Sequence, residues 1–166
     1  MQKAKQENRK ILYLDEITFT KKALLTKTYS HRYSNIAVNQ DRVYTSYLSA
    51  IASVSEEKGV EHIHIKGSAI DQNDFKIYLR KIYHLNNKRK LALFMDNLKV
   101  HKTEAVRRLY KSLNIKPLFN IPYSPALNPV EACFSIVKNH FKKRRLQHLV
   151  NDEDFDAEQL IEESFA

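Results

Sequence analysis

The 166-residue sequence has one cysteine, two glycines, four prolines and no tryptophan. A single cysteine, Cys133, can build neither a disulfide framework nor a cysteine-based zinc site, and an intracellular compartment fits that. The two glycines, Gly59 and Gly67, are too few for a phosphate-cradling loop or a dinucleotide fingerprint, which need several closely spaced. No nucleotide cofactor is therefore expected. The longest strand-like apolar run, Leu91 to Met95, is far too short to span a bilayer, so no membrane partner is expected either. The first ten residues are charged and lack the apolar centre of a secretory signal. Acids are scarce over most of the chain and crowd its end. Residues 151–166 hold seven acids and no Lys or Arg, so residues 1–150 carry 28 basic against 12 acidic side chains, a net +16. A body that basic suggests a polyanionic partner, nucleic acid first. Charge alone fits a merely solvated surface equally well.

The chain reads as a run of strands followed by alternating helices and strands. Residues 10–19 are rich in β-formers, with Ile11, Tyr13, Asp15, Ile17 and Phe19 on one face. Asp15 is then an acid in an apolar row, which calls for a partner, a proton or a metal. The plainer reading puts it on the wet face or beside an arginine. Glu16 points the other way and is the weaker functional candidate. Residues 26–32, 43–54 and 60–66 carry further strand patterns, with a polar turn around residues 35–41, and suggest an antiparallel meander. His62 and His64 share a strand face but have no third ligand nearby, and read as packed or solvent-facing rings.

Asp71 reads as a helix N-cap with Asp74 at the third position, opening a helix to about residue 84 with the stripe Phe75, Leu79, Ile82, Tyr83. Leu91 to Met95 is apolar on both faces, as a central strand should be. It ends on Asp96-Asn97. A helix over about 103–113 and a strand over 115–121 complete a βαβ unit with parallel strands. Asp96 thus stands at the carboxyl end of a central strand, where α/β sheets place ligands. It could equally be a turn residue.

Three of the four prolines lie in Pro122-Tyr123-Ser124-Pro125-Ala126-Leu127-Asn128-Pro129-Val130-Glu131. Asn128 makes a good N-cap and Pro129 a good first helical residue. On the helix that follows, Val130, Cys133, Phe134, Val137 and Phe141 form the buried face. At about 100° per residue, Lys138, Lys142 and Arg145 line up with Glu131 on its flank. Lys142-Lys143-Arg144-Arg145 closes the basic stripe. Glu131 has two readings: a helix-start residue, which a capping box would accept as Glu or Gln, or a third carboxylate. Phosphodiester chemistry uses hard oxygen ligands that hold divalent ions around the reacting phosphate, and a basic track for the backbone. Asp15, Asp96 and Glu131 could converge at one sheet edge to supply the first.

These stretches resemble the catalytic domain of the DDE transposases of the mariner and insertion-sequence superfamily. Leu14-Asp15-Glu16 resembles the first-aspartate strand, and Phe94-Met95-Asp96-Asn97 with His101 the second. The proline-rich stretch with Phe134-Ser135-Ile136-Val137-Lys138 resembles the family's signature and its continuation. Thirty-four residues separate Asp96 from Glu131, a spacing typical of the superfamily. The resemblance covers about residues 10–145. It implies a ribonuclease H-like α/β fold, with a mixed central sheet of three antiparallel strands and then parallel strands, flanked by helices. It implies Mg²⁺-dependent DNA cleavage at transposon ends and strand transfer, with two ions and Mn²⁺ able to substitute. Asp15, Asp96 and Glu131 would be the metal ligands, and Asn97, His101 and Asn128 their supports. Tyr123 would shape the loop. Lys138, Lys142, Lys143, Arg144 and Arg145 would contact DNA, and a homodimer on paired ends would be the working assembly.

The expected organisation is a charged leader over 1–9, the catalytic domain over 10–150, and an acidic tail over 151–166, helical or disordered. About ten residues precede the first strand, so the family's N-terminal helix-turn-helix is not expected here. Phe134 stands where relatives often have Trp. The alternative is a catalytically silent or domesticated remnant that holds DNA without cutting it. A third reading is a ribonuclease H-like nuclease outside transposition. The expected location is the nucleus of a eukaryote, or otherwise the cytoplasm and nucleoid.

Overall fold

Both side-chain rows of the first strand are buried, and that sets the layering of the molecule. The computed structural model describes residues 2–19, 47–122, 124, 127–151 and 153–166. Strand β1 is Lys10–Phe19. Leu12 and Leu14 face one hydrophobic cluster, while Tyr13, Ile17 and Phe19 face another. A strand buried on both faces belongs in the middle of a sheet, with helices above and below.

The sheet has five strands in the order β3-β2-β1-β4-β5. Strands β2 (Leu48–Ser55) and β3 (Gly59–Lys66) continue antiparallel from β1. Strands β4 (Leu91–Met95) and β5 (Ile115–Phe119) run parallel to β1. This is the mixed sheet of the ribonuclease H-like fold, three antiparallel strands followed by parallel ones. The strand read over 26–32 and the turn over 35–41 lie outside the described residues. Of the strand read over 43–54, residues 47–54 are described, and all of these but Tyr47 lie in β2.

Helices α2 (Gln72–Leu85) and α3 (Glu104–Ser112) cover one face. Phe75, Tyr78, Leu79 and Ile82 of α2 meet Val106 and Tyr110 of α3 over Leu12, Leu14, Leu91, Leu93 and Met95. The start of α2 is a complete capping box. The Asp71 side chain accepts from the amides of Asn73 (2.6 Å) and Asp74 (3.1 Å), and Asp74 accepts from the Asp71 amide (2.9 Å). Backbone amides left orphaned at the helix start are thereby satisfied reciprocally. His62 lies stacked on Tyr78, with ring centroids 5.4 Å apart.

Helix α4 (Val130–Val150) and helix α5 (Ala157–Phe165) cover the opposite face. Val130, Phe134, Val137 and Phe141 of α4 pack with Leu160, Ile161 and Phe165 of α5 against the odd row of β1 and Ala50 and Ala52 of β2. The acidic end of the chain is thus helical here. Its helix is capped by Asp156, which accepts from the amide of Glu158 (2.8 Å). At the other end, α1 (Gln2–Gln6) buries Ala4, and Glu7 bridges Arg9 (2.7 Å) and Lys116 (2.6 Å). No helix among the described residues is long and apolar enough to cross a membrane.

Candidate active site

Parallel pairing of β1 with β4 runs from Lys10 beside Leu91 to Tyr13 beside Phe94. Carried on by two residues, that register sets Asp96 beside Asp15 and on the same face. The chain leaves β4 at Asp96 because the Asp96 side chain takes the Leu98 amide (3.2 Å) in a local turn. Helix α4 then lays its first turn over the same edge. The result is a cavity of about 550 Å³ whose lining includes Asp15, Asp96, Glu131, Asn97, Asn120 and Ile121. The three acids picked from the sequence share this one opening at the carboxyl edge of the parallel strands.

Asp15 is held at both oxygens. Oδ1 accepts from the Glu16 amide (2.8 Å), and Oδ2 accepts from Asn128 Nδ2 (3.3 Å). Burial pushes its carboxyl up, the Glu16 amide opposes that, and the charges of Asp96, Glu131 and Glu16 add to the rise, bringing it to about 6. Asp96 goes the other way. Burial raises it, but contact with His101, the Leu98 amide and the charge of Lys102 outweigh burial and hold it below its usual value.

His101 is fully buried. It sits in the 3-10 helix Lys99–Lys102, with its ring 4.4 Å from that of Phe75. Its Nε2 meets Glu16 Oε1 at 3.0 Å, and its Nδ1 lies 3.1 Å from Asp96 Oδ1. The second approach is too bent for a hydrogen bond and is an ion contact. Burial disfavours a charged ring, yet Asp96 and Glu16 overcome it and lift His101 to about 9.

A model of the DDE superfamily endonuclease family matches residues 10–151. The chain belongs to the DDE superfamily endonucleases. No match was found among curated proteins. Solved structures of other proteins resemble this DDE endonuclease in fold. A chain of the simian T-cell lymphotropic virus intasome, in complex with a PP2A regulatory subunit, aligns at TM-score 0.65 and 18% identity, over 95% of this chain and 47% of that one. The Mos1 transposase catalytic domain with raltegravir and Mn aligns at 0.58 and 16%, over 99% and 74%. A pre-cleavage Mos1 transpososome aligns at 0.56 and 14%, over 99% and 59%. The chain therefore spans about half to three fifths of the longer chains it matches.

The supporting residues of the endonuclease are placed as follows. Asn128 is buried, donating to the Leu14 carbonyl (3.2 Å) as well as to Asp15. It caps α4 only through a 3.5 Å contact from the Val130 amide. Pro129 is already helical in its backbone angles, so Asn128 is freer to tie α4 to β1 than a strict cap would be. Asn97 donates to the Asn120 carbonyl and accepts from Lys102. Tyr123 lies outside the described residues.

Sequence reasoning missed two residues here. Asn120 lines the cavity, is buried, and donates to the Ser124 carbonyl (2.7 Å) while its own amide reaches the Met95 carbonyl (2.8 Å). A lone Asn between an apolar strand and the proline-rich stretch was its only trace. Alternation along β1 points Glu16 away from Asp15 and gives no sign of a partner on that side. Glu16 does point that way, and meets His101 there.

The basic stripe needs one correction. Lys138 and Lys143 are exposed and Lys142 is half-buried, but Arg145 is fully buried and cannot meet a phosphate in this fold. The cause is a turn of the buried face along α4. Its last turns bury Arg145, Leu146 and Leu149, about 60° to 160° around from Val130. Arg144 is exposed but pairs with Glu163 of α5 at 3.2 Å, so the acidic helix competes for it.

Oxygen carboxylates around one cavity are the donor set that Mg²⁺ and Mn²⁺ prefer, and the like-charge crowding that raises Asp15 is what a cation would relieve. Among the described residues, no three of His, Cys, Asp and Glu are close enough to share one ion. Mg²⁺ keeps several waters and is satisfied by one or two carboxylates, so the residues fit ions held by part of the triad at a time.

Proposed function

We propose that this chain is the catalytic domain of a transposase, cutting DNA at element ends and joining the freed 3′-hydroxyl to target DNA. The observation that carries the reading is the convergence of Asp15, Asp96 and Glu131 on one open cavity in a chain of the DDE endonuclease family. Among the structural neighbours are a Mos1 strand transfer complex and Mos1 paired-end complexes with Mn and with Mg, which supports DNA as the substrate and a divalent ion as the cofactor; a homodimer on paired ends is the assembly proposed with them.

Asp15, Asp96 and Glu131 would hold two Mg²⁺ ions, with Mn²⁺ able to replace them. Such ions polarise the phosphoryl oxygens, lower the pKa of an attacking water and stabilise the leaving oxygen. The rest of the work falls to the chain. The Glu16 amide and Asn128 fix the two oxygens of Asp15. The Leu98 amide holds Asp96 Oδ1. Asn97 and Asn120 tie the ends of β4 and β5 into one floor. Lys138 and Lys142 offer the DNA backbone a positively charged path that leads along α4 to Glu131, Lys143 adds charge on the neighbouring exposed face, and their affinity for it should fall steeply with salt.

The test is Glu131→Gln. The amide is nearly isosteric and a helix start accepts it, but it is a poorer ligand for a hard cation. Mg²⁺-dependent nicking of a DNA duplex should be lost while the thermal midpoint in EDTA stays within about 0.5 kcal/mol equivalent of the parent. If the variant nicks DNA as fast as the parent, the role of Glu131 as a ligand is refuted.

A further inference from the structure

We infer that Glu16 is a positioning residue for Asp96, acting across the sheet edge through the buried ring of His101. The inference rests on the proposed metal role of Asp96. Asp96 lies beyond the last residue of β4, and its side chain is 38% exposed. Its anchors among the described residues, the Leu98 amide and the His101 ring, both meet Oδ1. That leaves Oδ2 to face the cavity. The direction of Oδ2 is therefore set by how firmly Oδ1 is held.

His101 can hold it only if the imidazole plane is fixed. Packing fixes part of that, since the ring lies tilted 32° on Phe75. Packing alone cannot choose the ring's orientation, because a 180° flip about Cβ–Cγ swaps Nδ1 with Cδ2 and Nε2 with Cε1 at nearly the same shape and would turn a carbon toward Asp96. Glu16 makes that choice. Its Oε1 meets Nε2 at 3.0 Å and thereby turns Nδ1 toward Asp96. The same logic governs carboxylates that orient metal-bound histidines; here the oriented ring steadies a carboxylate instead.

Adjacent residues on a strand face opposite sides. The pair Asp15-Glu16 therefore serves both faces at once: Asp15 enters the cavity directly, and Glu16 reaches Asp96 from beneath. A purely structural ion pair would need no such link to the cavity. Phe75 and Tyr110 flank the same region in the core, so the alternative that Glu16 and His101 only stabilise the packing is the one to be excluded.

The experiment uses the whole chain without DNA and Mn²⁺ as the probe, with free Mn²⁺ measured by electron paramagnetic resonance. Glu16→Ala should weaken Mn²⁺ binding by about tenfold, the usual scale for removing such an outer contact. Glu16→Gln keeps the length and an oxygen that accepts from Nε2–H, and should stay within about threefold of the parent by the same scale. Glu16→Asp keeps the charge but shortens the reach, and should resemble the alanine variant. This variant also covers the case in which Glu16→Ala fails to fold. Ring ¹⁵N shifts of His101 should move in Glu16→Ala and Glu16→Asp and stay near parental in Glu16→Gln. If Glu16→Ala and Glu16→Asp lower the thermal midpoint in EDTA but leave Mn²⁺ affinity and the ring shifts parental, Glu16 is structural and the inference is overturned. Asp96→Asn serves as the separate control. Unchanged Mn²⁺ affinity in that variant would refute the metal reading itself, whereas weakened binding there with parental binding in the two Glu16 variants would refute the brace alone.

Discussion

Asp15→Asn should make the cation-free protein more stable at alkaline pH while abolishing cleavage. The folded carboxyl titrates at about 6 against an ordinary value of 3.8. A raised carboxyl pKa means that the folded state binds its proton more tightly than the unfolded state does. Ionising it therefore costs stability, and the cost grows as pH rises from about 4 to about 6 and is constant above that. From those two values the penalty is about 1 kcal/mol at pH 4.5 and about 3 kcal/mol at pH 8, an upper bound because the group keeps some solvent contact. Asparagine carries no such penalty. It forfeits some of the contact with Asn128, a loss that does not vary with pH and stays under about 1 kcal/mol. His101 contributes in the opposite sense: its folded value of about 9 gives stability that is present below its ordinary value of 6.5 and lost as pH rises through 9. That contribution is shared by parent and variant and cancels to first order in the comparison. The variant-minus-parent stability should thus rise by about 2 kcal/mol between pH 4.5 and pH 8, or about 4–8 °C in thermal midpoint for a chain of this size. Differential scanning calorimetry in EDTA measures it. Adding Mn²⁺ at pH 8 should raise the parent's midpoint more than the variant's, because ligand binding stabilises the state that binds it. A midpoint difference that is flat between the two pH values would refute the argument that crowding and burial strain this carboxylate.

Lys142→Ala with Lys143→Ala should leave the thermal midpoint within about 0.5 kcal/mol equivalent and lower the slope of log K against log salt for duplex DNA by about one per lost phosphate contact. Arg145→Ala should do the reverse, costing about 2 kcal/mol in urea unfolding through lost packing with the salt slope unchanged, since its side chain is sealed from solvent. Ile161→Ala, at a fully buried position on α5, should cost about 2–5 kcal/mol; a change near zero would show that the acidic end of the chain does not contribute to the core. Glu163→Gln frees Arg144 from its 3.2 Å pairing and should tighten DNA binding at low salt, with little effect on stability, as exposed pairs contribute about 0–1 kcal/mol.

Much of the site was legible in the residues because it depends on local rules. Strand alternation put Asp15 in the row that faces α4, and a strand apolar on both faces marked β4 as central, so Asp96 had to stand at its carboxyl end. The proline-rich stretch announced the start of α4 and with it the place of Glu131. The helix wheel for α4 held through Phe141 and then failed at Arg145. It assumes one buried face for a whole helix, whereas a helix of 21 residues changes what it packs against along its length. Alternation likewise identified the face of Glu16 and could say nothing of what waits there.

The sequence by itself determined which residues could do this chemistry and the order in which the elements carry them, because periodicity, capping and spacing act over a few residues and survive without knowledge of the fold. The tertiary structure alone decided which of them meet. Asn128 reaches Asp15 across 113 positions of chain, and His101 reaches Glu16 across 85. Contacts of that range are set by how layers stack on a twisted sheet, where a shift of one strand position sends a side chain to the opposite face. No local pattern encodes that, so the partners of Asp15 and Asp96 became visible only when β1, β4 and α4 were brought to one edge.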